Sequence, residues 1–332
     1  NHLEELDGIV ARFNEQEEDI TVTVEAVGWD NYFTRLESQI AGGNPPDVFE
    51  LNYENFVNYA SKGVLQPLDE FASGDASFGK SAYYPRALEA FNYEGTQYGL
   101  PGTFSTSVLF YNKDLFDGAG LDYPDESWSW EDALEAAKSL TDREEGVWGL
   151  YSPIQFWEFY KKAAQNGGSL LNGSTATIDD PKNVEALEFM VSLVDQHAVM
   201  PEESELAGVP NEQVFLDGKI AMLVSGIWMF ETFKDAEFDW DIAVEPGLQR
   251  KATHYFADGL AVSSATDKAE AAWKWVKFFT SSPEMVKTRM ESNWGLPVVQ
   301  ELDLVESYLS QTPPDNRQAV YDSLEYAIVP PV

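Results

Sequence analysis

The first fifty residues switch between two periodicities, and that switching restricts the chain to few architectures. Leu3, Leu6, Ile9, Val10 and Phe13 recur at helical spacing with acidic residues between them. "ITVTVEAV" (Ile20–Val27) is a β-branched run. Tyr32, Phe33, Leu36 and Ile40 then return to helical spacing, until "AGGNPPD" stops the helix with Gly and Pro. "DVFEL" (Asp47–Leu51) comes next as a short buried strand. Helix, strand, helix, strand with short connections predicts an α/β fold with a parallel sheet covered by helices. Such a sheet normally opens on a strand, whereas this sequence opens on a helix.

Further along, "YGLPGTFSTSVLFYNKDLF" (Tyr98–Phe116) runs from Gly and Pro into an extended Ser/Thr-rich stretch, read as a crossing between two lobes. Two lobes also suit 332 residues of which 44% are hydrophobic. Ser129 and Asp132 are spaced as a capping box before an amphipathic helix. Pro181 sits in the first turn of a helix over 179–194. In "GKIAMLVSGIWMF" (Gly218–Phe230), Ile220–Gly226 reads as a buried strand, with Gly226 letting the chain turn so that Trp228 emerges just past its end. "FADGLAVSSA" (Phe256–Ala265) passes through Gly259 into another strand, and Ala272, Trp273, Val276 and Phe279 share one face of a helix over 268–281.

Composition excludes several functions. With 57 acidic and 21 basic residues the net charge is −36, so nucleic acid and anionic membrane surfaces are poor partners. The plain explanation of the acidity is a salty or alkaline exterior; the sharper one is a cationic partner. There is no cysteine, which removes disulfides, thiolate catalysis and Cys-based metal sites. The three histidines, His2, His197 and His254, lie far apart in sequence. HExxH, EF-hand, G-x-S-x-G, P-loop and G-x-G-x-x-G patterns are all missing, and "GDASFGKS" (Gly74–Ser81) has the wrong glycine spacing for a P-loop. The expectation is therefore no catalytic residue, no metal and no cofactor. Carboxylate pairs of the glycosidase kind are uninformative among 57 acids. No apolar run is long enough to span a membrane, and any signal segment is expected to have been removed.

"GGNPPDVFELNYENFVNYASKGVLQPLDEF" (Gly42–Phe71) resembles the family-1 extracellular solute-binding proteins of ABC importers, above all the sugar binders. The resemblance continues through Tyr98–Phe116, "SWSWEDALEAAKSLT", "FLDGKIAMLVSGIW" and "GLAVSSATDKAEAAWKWVKFFTSSPEMVKTRMESNWGLPVV", in the family's order, and is similar to maltodextrin-binding proteins at several of these places. It implies a two-lobed type II periplasmic-binding-protein-like fold, each lobe a mainly parallel sheet flanked by helices, with the ligand in a cleft between lobes. Residues 1–103 with 259–322 would form the N-terminal lobe, 104–258 the C-terminal lobe and 323–332 a third crossing. The family's first strand and its C-terminal helices have no counterpart in this sequence, which explains the opening on a helix. The implied function is capture of a carbohydrate, most simply an oligosaccharide, by lobe closure. The protein would be an extracytoplasmic monomer that delivers its ligand to ABC permease subunits and catalyses nothing.

A sugar site needs aromatic plates for C–H faces and carboxylate or amide groups for hydroxyls. Trp228 matches the family's stacking Trp after this Gly, against a packing role. Glu54 matches an acidic sugar ligand of maltodextrin binders, with Asn52 and Tyr53 beside it. Trp29 and Asp30 come after the earlier strand, although Asp30 also suits a helix cap. Pro153 matches a Pro beside a stacking Tyr; here Ile154 takes that place, so Gln155, Phe156 and Trp157 are the substitutes. Phe256, Asp258 and Gly259 lie where the chain recrosses, Gly259 for backbone geometry or close approach. Trp130 is expected to be structural, Trp273 and Trp275 core or surface, and Trp294 either packed or near the ligand. Rivals are a polyamine or other small solute on the same fold, an extracellular glycan-active enzyme, and a sensing module.

Overall fold

Apolar spacing becomes helices throughout, whereas strand propensity becomes strands only where a partner segment runs alongside. The computed structural model describes residues 2–300 and 302–331, with the backbone alone at Asp30 and 302–304. Helix α1 (Leu3–Gln16) buries Ile9 and Phe13. Phe13 meets Trp275 and Phe278 edge-on at 5.1 and 5.2 Å between ring centroids. Then come α2 (Trp29–Ala41), β1 (Val48–Asn52), whose Phe49 and Leu51 share the buried face, and α3 (Tyr53–Ser61), which starts directly at the strand's end.

Strand β2 (Gly99–Asn112) is buried along its whole length. Helix α4 (Trp130–Leu140) carries the capping box of Ser129 and Asp132, and α5 (Phe156–Gln165) and α6 (Pro181–Asp195) come after it. Next are β3 (Met222–Gly226), β4 (Trp240–Ala243), β5 (Thr253–Val262), α7 (Ala269–Ser281), α8 (Pro283–Glu291) and β6 (Ala327–Ile328). Trp273 and Trp275 of α7 are core residues. Trp130 is buried too: its Nε1 donates to Gln165 Oε1 at 2.7 Å and its ring stacks on Phe189.

The chain forms two compact units, Asn1–Phe104 with Phe256–Val305, and Ser105–Tyr255 with Glu306–Pro331. In the first, β1 pairs antiparallel with β5 from Val48↔Val262 to Asn52↔Asp258. In the second, the later half of β2 pairs antiparallel with β3 and β4, and β6 lies parallel to the start of β5. Parallel contact also joins Trp148–Tyr151 to β3, through Trp148↔Ile220 and Tyr151↔Leu223. The α/β architecture stands, but its pairing is more mixed than helix–strand alternation suggests.

Three expectations are corrected. Ile20–Val27 forms no strand, because no ladder partner lies beside it among the described residues. Instead the Asn14 amide brackets Val22, donating to its carbonyl at 3.0 Å and accepting from its N–H at 2.7 Å. Gly28, not Asp30, holds the N-cap position of α2. Residues 306–322 belong to the second unit rather than the first. Asn316 donates to Asp241 Oδ1 and to the Ile242 carbonyl. Arg317, 2% exposed, lies 5.0 Å from the Phe230 ring and 4.7 Å from the Tyr308 ring, and donates to the carbonyls of Gln311 and Pro313.

Removing that guanidinium leaves two carbonyls without their donor and two rings without their cation. Arg317→Met is expected to lower unfolding free energy by roughly 2–3 kcal/mol. Arg317→Lys should recover little, since one ammonium does not reproduce the planar fork. Urea unfolding of the three proteins checks both statements; a fully stable Arg317→Lys protein contradicts the second.

Candidate functional site

In the second unit, one parallel register decides where side chains emerge. Tyr151 N–H donates to Met222 O at 2.8 Å and Val224 N–H donates to Tyr151 O at 2.9 Å. The two segments therefore end together, releasing Ser152–Trp157 and Ser225–Trp228 at the same carboxyl end. Ligands in doubly wound sheets bind beyond such ends. Trp228 falls in a short 3₁₀ turn (Ile227–Met229) and stays 39% exposed. Phe156 is more open still, at 53%. Trp157 is half-buried, with its Nε1 donating to Gln155 Oε1 at 2.8 Å.

Gly226 serves this arrangement in a way its sequence position does not reveal. Its φ of −100° is open to any residue, so it is not there for a left-handed turn. Instead a Cβ built there would stand 1.9 Å from an indole carbon of Trp228. The ring lies directly against the glycine backbone.

Helix α5 stands on a buried ionic cluster. Lys161 Nζ is 2.6 Å from both Glu158 Oε2 and Glu245 Oε1, and Lys162 Nζ is 3.5 Å from Glu158 Oε1. Ser152 Oγ donates to Glu158, and Thr253 Oγ1 lies 3.1 Å from Glu245 Oε1. Burial opposes the charge of Lys161, but Glu158 and Glu245 outweigh it and lift the ammonium above its usual range. Sequence reasoning misses this group. Helical spacing offers the Glu158–Lys161 pair, but Glu245 lies 84 residues away from the lysine it holds.

In the first unit, the end of β1 gathers polar groups. Asn52 Nδ2 donates to Glu54 Oε2 at 2.6 Å and Asn55 Nδ2 donates to Asn52 Oδ1 at 2.7 Å. Asp258 lies opposite Asn52 in the ladder. Tyr53 opens α3, and burial, with Glu54 and Glu89 nearby, raises its phenol. Burial first, then repulsion from Glu50 and Glu54, pushes the Asp258 carboxyl well above the ordinary carboxylate range; Arg289 opposes the shift. Glu50 keeps solvent access along its side chain, and it is pushed less far. Arg289 of α8 is 2% exposed, and burial lowers its guanidinium to about 10 against the pull of Glu50 and Asp258. Glu50 and Arg289 are further members that the sequence gives no signal for.

The remaining expected residues divide. Trp29 is 61% exposed and lies flat with Tyr32, ring centroids 6.4 Å apart, in the first turn of α2 rather than at a strand end. The Asp30 side chain lies outside the described residues. Phe256 is half-buried. Gly259 is a close approach: a Cβ there would stand 2.6 Å from Leu100 O and 2.7 Å from the Phe91 ring. Trp294 packs on Arg289, 4.8 Å from guanidinium to ring, and stacks with His2. Among the described residues, no group of three or more His, Asp or Glu side chains is arranged to hold a metal ion.

The chain as a whole is similar to known sequences and structures. The profile of the bacterial extracellular solute-binding proteins matches residues 1–286. The chain belongs to that family. Within it, the maltotriose-binding protein of Pyrococcus abyssi is 26% identical over 276 residues, covering 80% of this chain and 58% of that protein. This chain thus spans little more than half of that relative. The maltodextrin-binding protein MdxE of Bacillus subtilis is 26% identical over 291 residues, covering 83% of this chain and 66% of that protein. An ABC substrate-binding protein of Listeria monocytogenes, solved with cycloalternan, is 47% identical with a TM-score of 0.97, covering 99% of this chain and 86% of that one. No described helix is long and apolar enough to cross a membrane.

The site's packing and charge lead to two expected outcomes. Gly226→Ala is expected to push the Trp228 indole outward, raising acrylamide quenching relative to a Trp228→Phe control. The stability loss should stay within roughly 1–3 kcal/mol, the range for overpacking. Unchanged quenching contradicts the ring-on-glycine contact. At Asp258 the folded state favours the protonated carboxyl. Its contribution is therefore fully present below the unfolded pKa of about 4 and is lost as pH rises through the higher folded value. Asp258→Asn should be more stable than the parent at pH 8, with the advantage shrinking toward pH 4. Urea midpoints across that range measure it, and a pH-independent difference contradicts the assignment.

Proposed function

We propose that this protein is the substrate-binding component of an ABC importer for a neutral oligosaccharide. The observation that carries the reading is the set of exposed aromatic rings, Trp228 and Phe156, beside half-buried Trp157, leaving one sheet end in the second unit. Flat rings stack on the weakly apolar faces of sugars, while Asn52, Glu54 and Asp258 offer amide and carboxyl groups for hydroxyls. A carboxyl biased toward its neutral form adds a donor to that set. The Listeria protein solved with cycloalternan and the maltotriose-binding relative point to the same ligand class.

The charges narrow the class further. Lys161 and Lys162 are matched by Glu158 and Glu245, while Arg289 is under the electrostatic pull of Glu50 and Asp258. The two lysines are already committed to protein carboxylates. A phosphorylated or uronate ligand would add negative charge to them without a new partner, so a neutral sugar fits better. Capture by closure, delivery to permease subunits outside the cytoplasm, and the absence of catalysis complete the proposal. Closure requires that the ligand make better contacts in the closed state.

A thermal-shift and calorimetric panel tests it, using maltotriose and larger neutral oligosaccharides, a uronate-containing oligosaccharide, and spermidine. A neutral oligosaccharide at a hundredfold excess over its Kd should add roughly 3 kcal/mol of stability. No new reducing ends should appear on incubation with glycans. Stabilisation by spermidine with none by any neutral sugar overturns the ligand class.

A further inference from the structure

The ionic cluster beneath α5 does more than satisfy its own charges. Four ionisable side chains, Glu158, Lys161, Lys162 and Glu245, are almost wholly removed from solvent, with Glu158 and Lys161 at 0% exposure. Such a cluster costs desolvation energy that a well-packed apolar group would avoid, so it is a poor device for stability alone. Its position relative to one aromatic ring suggests what it does. Lys161 Nζ stands over the Trp157 ring, 5.3 Å from its centroid, and His254 approaches the same ring edge-on at 6.4 Å.

Every member of the chain behind Lys161 is tied to something rigid. Glu158 and Glu245 hold the ammonium at 2.6 Å each. Thr253 Oγ1 links Glu245 to the backbone of β2, donating to the Ser107 carbonyl at 2.8 Å. His254 is itself fixed by a 2.8 Å contact between its Nδ1 and the Tyr160 hydroxyl. Lys161 therefore has no freedom to leave the ring it supports, and the attraction between ammonium and ring resists rotation of the indole.

We propose that Lys161 is a positioning residue for ligand binding: held by Glu158 and Glu245, it fixes the Trp157 indole as a preset platform for the sugar. A platform already fixed in its binding orientation loses no side-chain freedom on capture, so preorganisation appears as affinity. This rests on the carbohydrate reading given above. It goes beyond that reading in assigning the tightness of binding to a lysine that is fully buried.

The test combines a ligand-free and a ligand-bound readout. Lys161→Met with Glu245→Gln removes one charge of each sign and leaves the Glu158–Lys162 pair; Lys161→Arg keeps the cation and serves as the conservative control should the first variant fold poorly. The Trp157 indole N–H resonance, assigned by its loss in Trp157→Phe, is followed without sugar. Affinity for a neutral oligosaccharide that binds the parent is followed by calorimetry. The double variant should move that resonance and weaken binding about tenfold. The loss should vanish in a Trp157→Leu background, and Lys161→Arg should stay near the parent in both readouts. An unmoved resonance overturns the positioning role whether or not any sugar binds. An affinity loss of the same size in the Trp157→Leu background also overturns it, because the cluster then acts through the fold at large. A moved resonance in a parent that binds no neutral sugar overturns the carbohydrate reading, and the proposal with it.

Discussion

The alignment of Trp148–Tyr151 with β3 is the constraint on which the site depends. Two segments hydrogen-bonded in parallel must finish on the same side of their sheet, so the residues after them emerge there together. Trp228 is carried out on one segment and Gln155, Phe156 and Trp157 on the other. The buried residues behind them, Leu109, Leu150, Met222 and Val224, form one apolar cluster with the helices of that unit. The sheet end that carries these rings is thus an extension of a core. Rings that bind flat ligands need such backing, because a mobile aromatic loses rotamer freedom each time it is used.

Charge is handled differently from apolar surface. The protein carries a large acidic excess, yet the buried lysines beside its candidate aromatic residues are each matched by carboxylates. Burial of Asp258, with Glu50 and Glu54 repelling it and Arg289 opposing the shift, drives that carboxyl toward its neutral form. The outer acidity bears on solubility and surroundings.

Much of this is legible in the sequence. The capping box of Ser129 and Asp132, the buried face of α7 and the exit of Trp228 beyond a strand are local features, set by residues within one or two turns of each other. The illegible features are non-local. Ile20–Val27 has the composition of a strand, but a strand exists only with a neighbour, which one segment's sequence does not specify. Residues 306–322 read as part of the wrong unit because Arg317 finds its rings and carbonyls only after folding. Gly226 stands out in the sequence for the wrong reason: its position suggests a turn, while its backbone angle and the indole above it show a close approach. The Lys161 cluster escapes for the same reason as Arg317, its second carboxylate lying on a distant segment.

If the sheet end is a ligand platform, Trp228 must contribute to affinity far more than to the stability of the fold. Calorimetric titration of the parent and Trp228→Ala with a neutral oligosaccharide that binds the parent, alongside their thermal unfolding, separates the two roles. The expected result is an affinity loss of about tenfold or more, with the melting temperature lowered by only a few degrees. Unchanged affinity together with a large loss of stability would place Trp228 in the core and refute the platform.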